Sequence, residues 1–272
     1  MAVLRDTDDA FALGRWVVAM AVAGLLFLLL PIVITLLVSF NDTRYFVFPP
    51  EQWSLRWYHV FLGSRAWIAS LWMSVQIASL TAVLASLLGL MASMALVRGT
   101  FRGKAMLLTF LLSPLIVPHI ILAIGLYFFF VRFDGQGSRL AIVLGHTVLA
   151  LPVTIIILSS TLQGIDGRLE HVARSLGASS FYTLRRITLP MIAPGLASAA
   201  LFAFLTSFDE LLIPLFLSDI RTETLSVRIW HSLEINVDPT LTAISSVLIG
   251  VTATILTIHL LMKRRAAART AR

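Results

Sequence analysis

The stretch QGIDGRLEHVARSLGASSFYTLRRITLP, Gln163 to Pro190, is a polar island between two long apolar runs. Leu169, Val172, Ala173 and Leu176 are spaced 3, 1 and 3 apart, which is one face of a short helix. Gly177 then permits a tight turn that a Cβ would hinder. Phe181, Leu184 and Ile187 repeat the helical spacing, with Arg185 and Arg186 near the end, where a helix dipole favours cations. Pro190 suits the first turn of a following helix, because its missing N–H would have no partner there. The expected order is a helix, a sharp turn, a second helix and then an apolar span. Two readings stay open on these grounds. The loop is either an amphipathic segment packed under the bundle or an exposed knob, joined rigidly to the next span, that docks a partner.

Outward from this loop the chain is apolar. A bilayer core about 30 Å thick needs roughly 20 apolar residues in a helix. Six runs meet that need: Trp16 to Phe40, Ala66 to Val97, Met106 to Val131, Leu140 to Leu162, Leu189 to Leu217 and Leu241 to Met262. The second and fifth exceed one crossing, so tilt or protrusion is expected. None alternates apolar with polar as a barrel strand would. Of the 272 residues 58% are apolar and only 13% charged, too few charges to coat a soluble domain, and mean hydropathy is +0.91. The expected fold class is all-α, a polytopic membrane protein with six transmembrane helices and a cytoplasmic coupling helix pair between spans four and five. Its organisation divides into 1–65 (tail, first span and outer loop), 66–262 (five-span core with the coupling loop 163–188) and 263–272 (basic tail).

Lysine and arginine set the orientation. The N-terminus, the loop with Arg98, Arg102 and Lys104, the loop with Arg168, Arg174, Arg185 and Arg186, and the tail after Met262 fall on one side. They hold fourteen of the 21 basic residues, and the opposite side holds seven. Both termini are therefore expected in the cytoplasm. The net charge of +7 is a topology signal and a lipid-headgroup anchor, and does not point to nucleic acid. The N-terminal run is too long for a signal-peptide core and lacks a small-residue cleavage site, so it reads as a retained helix. With no cysteine, the chain offers neither a disulfide framework nor a thiolate metal site.

The polar segment resembles the loop of ATP-binding-cassette importer permeases, whose pattern is Glu-Ala-Ala, three residues, Gly, nine residues, Ile, one residue, Leu-Pro. Ala173, Gly177, Ile187, Leu189 and Pro190 fall on that register. His171 stands where the family has Glu, Val172 replaces the first Ala, and Glu170 sits one position early. Phe48 to Phe61 (FPPEQWSLRWYHVF), Ser207 to Ser218 (SFDELLIPLFLS) and Arg221 to Trp230 (RTETLSVRIW) are similar to the subgroup that includes spermidine/putrescine importers. The resemblance implies a bacterial inner-membrane permease that pairs with a second permease subunit, two copies of a cytoplasmic ATPase and an extracytoplasmic solute-binding protein. ATP and Mg would be bound by the ATPase, and no cofactor by this chain. Glu170, His171, Ala173, Leu176, Gly177, Ala178, Ile187 and Pro190 would then form the surface coupled to the ATPase.

Two acids, Asp209 and Glu210, lie within a span. A carboxylate at mid-membrane costs roughly 2.5–3.5 kcal/mol on insertion scales. Counting from Pro190, Asp209 lies about 29 Å along the helix, in the outer half of the bilayer. Thr206, three and four residues earlier, shares a face with both acids. Pro214 cannot donate to the carbonyl of Glu210, so a polar break is expected beside the acids. Either Thr206, Asp209, Glu210 and Pro214 line a pathway for a cationic, polyamine-like solute, or the acids pair with a neighbouring arginine or snorkel outward. In span three, Pro114 and Pro118 imply a kink. His119, His146 and His259 are expected to hydrogen-bond within the bundle, and no histidine spacing suits a metal. Ala85 and Gly89 form a small-residue pair suited to close helix packing.

Other classes fit less well. An intramembrane enzyme would need a nucleophile elbow, a metal pair or facing aspartates, and no G-x-S-x-G or H-E-x-x-H occurs. An ion-coupled secondary transporter or channel subunit is compatible with the spans but leaves the polar helix pair unexplained. No phosphate-binding G-x-x-x-x-G-K-[ST] loop is present, so ATP energy must come from a partner.

Overall fold

The computed structural model describes residues 5–235 and 238–270, with side chains over 14–235, 238–258, 260 and 261. The side chains of Arg5, His259 and the basic tail from Lys263 to Arg272 lie outside the described residues. All named elements are helical: α1 (Arg5–Val38), α2 (Arg56–Gly63), α3 (Arg65–Arg98), α4 (Lys104–Leu112), α5 (His119–Val131), α6 (Arg139–Gln163), α7 (Arg168–Ser175), α8 (Ser180–Thr183), α9 (Leu189–Phe208), α10 (Leu212–Leu217), α11 (Leu225–Ile235) and α12 (Thr240–Thr270). The chain falls into two compact units, Met1–Ser64 with Glu234–Leu260 and Arg65–Leu233 with Leu261–Arg272.

In the first unit the apolar run of α1 ends at a loop that folds back on itself. Ser54 N–H donates to Phe40 O at 2.7 Å, and Asp42 N–H to Gln52 O at 3.2 Å. The Phe40 ring lies 5.4 Å from Tyr58 and 6.2 Å from Trp53, and Ser39 Oγ is 2.7 Å from the Tyr58 hydroxyl. The stretch resembling the polyamine subgroup is therefore a small ordered lobe.

Among the described residues, five stretches are long and apolar enough to cross a membrane: Gly14–Val38, Arg65–Arg98, Arg139–Gln163, Ser180–Phe208 and Thr240–Ile258. A sixth crossing arises only if Lys104–Leu115 and His119–Val131 are taken together, and these arms are bent by 99°. The expected kink in span three is thus a full break. Pro114 and Pro118 each remove a donor and crowd the carbonyl four residues back, so two successive turns lose their bonds. The first arm closes in a 3₁₀ turn, Ser113–Leu115, and α5 restarts from the Pro118 carbonyl, which accepts from Ile121 N at 3.0 Å.

Span five also differs from the expectation of one run from Leu189 to Leu217. It ends at Phe208, and a separate helix α10 begins at Leu212. In a continuous helix the Pro214 ring would collide with the carbonyl of Glu210. The break places Pro214 in the first turn of α10, where a missing N–H costs nothing.

The second unit is built on α3, α6 and α9, packed closely through small residues. Ala78, Ala85, Ala150, Ala199 and Ala203 are all fully buried. In lipid there is no hydrophobic force between helices, so close backbone approach and interhelical hydrogen bonds supply the attraction. Gly89 abuts Thr154, whose hydroxyl donates to Ala85 O at 3.1 Å and to Leu151 O at 2.7 Å. Ser93 Oγ donates to Ile155 O at 3.2 Å. The Ala85–Gly89 pair serves packing, as its spacing implied. Beside this core, α10 and α5 close over α6 through Ile213, Leu217, Ala123 and Ile142.

Gly195 gives a direct test of the packing. A Cβ there would lie 2.8 Å from Thr161 Cβ, with the Thr161 hydroxyl closer still. Gly195→Ala should destabilise by about 1–3 kcal/mol, the usual range for overpacking. Thr161→Ala in the same chain should recover part of the loss, read as melting temperature in detergent.

Candidate functional site

Local sequence explains the geometry of the polar loop. Asp166 Oδ1 accepts from Arg168 N at 2.9 Å and opens α7. The helix closes in a Schellman turn: Ala178 N–H donates to Ala173 O at 3.1 Å, and Gly177 N–H to Arg174 O at 3.0 Å. Gly177 has φ +89°, the left-handed conformation that the motif requires. Ser179 Oγ then accepts from Tyr182 N at 3.2 Å and caps α8. From there the backbone does not break before the span. A single widened π turn, Leu184–Thr188, carries α8 into α9. Pro190 has no N–H for the Arg186 carbonyl, and the widened turn sits where that bond is lost. The second short helix and span five are therefore one rod, Ser180–Phe208.

The faces of the loop are inverted relative to ordinary amphipathic packing. Glu170, Ala173, Thr183 and Thr188 are buried, while Leu169, Val172, Phe181 and Tyr182 are exposed and Leu176 is 83% exposed. Gly177 is exposed, Ala178 and Ile187 are half-buried, and Pro190 is exposed. Leu176, Gly177, Ala178 and Tyr182 line one shallow open groove. Around the apolar stripe the exposed charges include Arg168, Arg174, Arg185 and Arg186, and Arg174 Nη2 lies 3.3 Å from Nδ1 of exposed His171.

Glu170 points the other way. Its Oε2 is 3.2 Å from Arg98 Nε, and its Oε1 accepts from Thr188 Oγ1 at 3.0 Å. No local spacing brings Arg98 and Thr188 to Glu170, since they lie 72 residues before it and 18 after it. The single signal for Arg98 was its place as the basic residue closing a 34-residue apolar helix.

The acidic pair is split. Asp209 is exposed, at the C-terminal end of α9, one turn beyond half-buried Thr206. Glu210 is 8% exposed, and its Oε1 accepts from Leu212 N at 2.8 Å and Ile213 N at 3.2 Å. It supplies the acceptor that the orphan amides of α10 need, and a carboxylate at a helix N-terminus is also favoured by the dipole. Because the helix breaks here, Thr206 and Glu210 do not share the helical face that their spacing implied. Glu210 meets neither an arginine nor the surface. Its Oε2 lies 3.8 Å from Nδ1 of His119, the first residue of α5. The break in span three and the break after span five thus meet at one histidine–glutamate contact. His146, by contrast, is buried with Nδ1 2.7 Å from Ser207 Oγ, the bundle hydrogen bond expected of it.

One polar cluster went unread in the sequence. Arg228 pairs with Glu223, donates from Nε to Ser70 Oγ at 2.7 Å, and stacks 5.8 Å from the Trp67 ring. Ser74 Oγ accepts from Leu225 N at 2.8 Å. These contacts tie the start of α11 to the first turns of α3.

The fold as a whole is that of an ABC transporter permease. A bacterial ABC transporter involved in the import of the acidic polysaccharide alginate superposes with a TM-score of 0.73 at 14% identity, covering 97% of this chain and 99% of that one. Residues 85–272 match the family described as binding-protein-dependent transport system inner membrane component, and the chain belongs to that family. Its relatives include the putrescine transport system permease protein PotI of Escherichia coli (strain K12), 31% identical over 86% of each chain. The spermidine/putrescine transport system permease protein PotC of Haemophilus influenzae is 30% identical over 88% of this chain and 93% of its own. The protein is a multi-pass permease subunit of an ABC importer and not an enzyme, since ATP hydrolysis in this family resides on a separate subunit.

Proposed function

We propose that this chain moves a small cationic, polyamine-like solute inward by alternating access. It would pair with a second permease subunit, receive cargo from an extracytoplasmic binding protein, and take energy from two ATPase subunits that bind ATP and Mg. The observation that carries the coupling half is the outward apolar stripe of Leu169, Val172, Leu176, Phe181 and Tyr182. Its own chain leaves that stripe uncovered, and the rod behind it runs straight into span five. His171, Leu176, Gly177 and Ala178 meet the ATPase in this reading, while Ile187 lies in the widened joint and Pro190 in the first turn of α9. The basic ring around the stripe suits a partner groove with an apolar floor and acidic rim. Cargo class rests on the relatives named for putrescine and spermidine, and on Asp209 as an exposed acid beside the helix break after α9.

Co-purification tests the coupling. A partner ATPase subunit should be retained by the wild-type protein and lost when Leu176 and Phe181 are both changed to Ser. Retention by that double variant would remove the stripe from the interface.

Orientation has its own check, made simple because the chain has no cysteine. Single cysteines at Arg102 and Arg174 should label only from the cytoplasmic side, and those at Glu51 and Glu223 only from outside. Labelling of position 51 from the cytoplasm alone would invert the topology.

A further inference from the structure

Burying a carboxylate is costly unless it is paired and hydrogen-bonded. Glu170 is 7% exposed and sits on the inner face of α7, beneath the outward apolar stripe. Its Oε1 accepts a hydrogen bond from Thr188 Oγ1 at 3.0 Å, and its Oε2 forms an ion pair with Arg98, 3.2 Å from Nε, without hydrogen-bond alignment at that nitrogen. Arg98 closes α3, and its Nη2 also donates to Ile165 O at 3.1 Å, two residues past the end of α6. Thr188 is fully buried in the widened turn that leads into α9. One guanidinium–carboxylate unit therefore ties α7 to the ends of all three core helices.

We infer that Glu170, Arg98 and Thr188 form a clamp that makes α7 a lever on α3, α6 and α9 together. This rests on the reading that an ATPase docks on the outer face of the loop. Without the clamp, a push on α7 reaches the bundle only through the chain, by the Schellman turn into α8 and α9. With it, α3 is pulled as well. An ion pair suits this task better than apolar packing, because it fixes register and orientation where greasy surfaces could slide. A cavity of about 130 Å³ beside the clamp, bounded by Met94, Arg174 and Thr183, leaves side-chain room around the joint. Glu170 is thus a positioning residue inside the subunit, distinct from the exposed residues that face the ATPase.

The test uses the assembled importer with its second permease subunit and ATPase, and reads no cargo. A single cysteine replaces exposed Ala69, at the far end of α3 from Arg98. Its labelling rate is compared without nucleotide and after ATP–vanadate trapping. In the otherwise wild-type complex the rate should change on trapping. Glu170→Gln keeps an acceptor for Thr188 but removes the charge. It should retain the ATPase and its basal hydrolysis while the nucleotide-induced change shrinks about fivefold or more, the low end of coupling between linked sites. Thr188→Val should shrink it less, and the swap of Arg98→Glu with Glu170→Arg should restore part of it. A full change in Glu170→Gln, or no change in the wild-type background, overturns the lever. Loss of the ATPase from Glu170→Gln overturns it equally, by making the clamp part of the docking surface. Normal ATPase binding by Gly177→Arg would instead overturn the docking reading, so the two failures are distinguishable.

Discussion

Gly177→Arg should abolish transport and ATPase binding while leaving the protein inserted and folded. The substitution acts twice at one point. Gly177 holds φ +89° at the Schellman turn, and an L-residue there costs about 1–2 kcal/mol. Nothing lies within 4 Å of the Cβ direction, so the isolated chain can accommodate the side chain. The clash arises only when a partner closes on the groove beside Leu176 and Tyr182. Gly177→Ala separates the two effects, since it keeps the strain and removes the bulk. It should lose transport only modestly. Hydrolysis and uptake by reconstituted complex, with retention of the ATPase on an affinity column, decide the matter. Wild-type uptake by Gly177→Arg at normal assembly would sink the docking reading.

Asp209→Asn and Glu210→Ala should have opposite signatures. Asp209 is exposed, and charge removal there should lower uptake of a polycation such as spermidine without lowering the melting temperature. Glu210 is a buried cap for α10, and the glutamine carbonyl can still accept from Leu212 and Ile213. Glu210→Gln should therefore keep most stability. Glu210→Ala, which strands those amides, should cost about 0.5–2 kcal/mol from the lost cap alone. Uptake and thermal unfolding measured on the same three variants separate a cargo contact from a structural one. Uptake by Asp209→Asn equal to wild type would remove Asp209 from the pathway and leave the cargo assignment resting on relatives alone.

The two acids also show how far local reasoning reaches. Their location at the C-terminal end of span five followed from counting 1.5 Å per residue from Pro190. A break at this place followed from Pro214. What the residues could not say was that adjacent carboxylates would part, one outward and one folded back onto the amides of the next helix. That outcome depends on α10 packing against α5 and α6, which turns Ile213 and Leu217 inward and takes Glu210 with them.

Glu170 carries the same lesson. By periodicity Leu169, Val172, Ala173 and Leu176 made one apolar face, and an apolar face would ordinarily pack against its own chain. In the structure that stripe, except Ala173, points outward, while Glu170 faces inward onto Arg98 and Thr188.

Sequence alone determined the helical class, the apolar runs, the Gly177 turn, the small-residue seam at Ala85 and Gly89, and the proline interruptions. Each is a local property: hydrophobic length, a missing Cβ, a missing N–H. Tertiary structure alone decided that the two arms of span three are bent by 99°, that α8 and α9 are one rod, and that Arg98, Glu170 and Thr188 meet across 90 residues of chain. It also decided which face of the polar loop its own chain leaves bare. Those features depend on which side chains oppose one another after the helices have packed, and no spacing along a single helix encodes the identity of its neighbour.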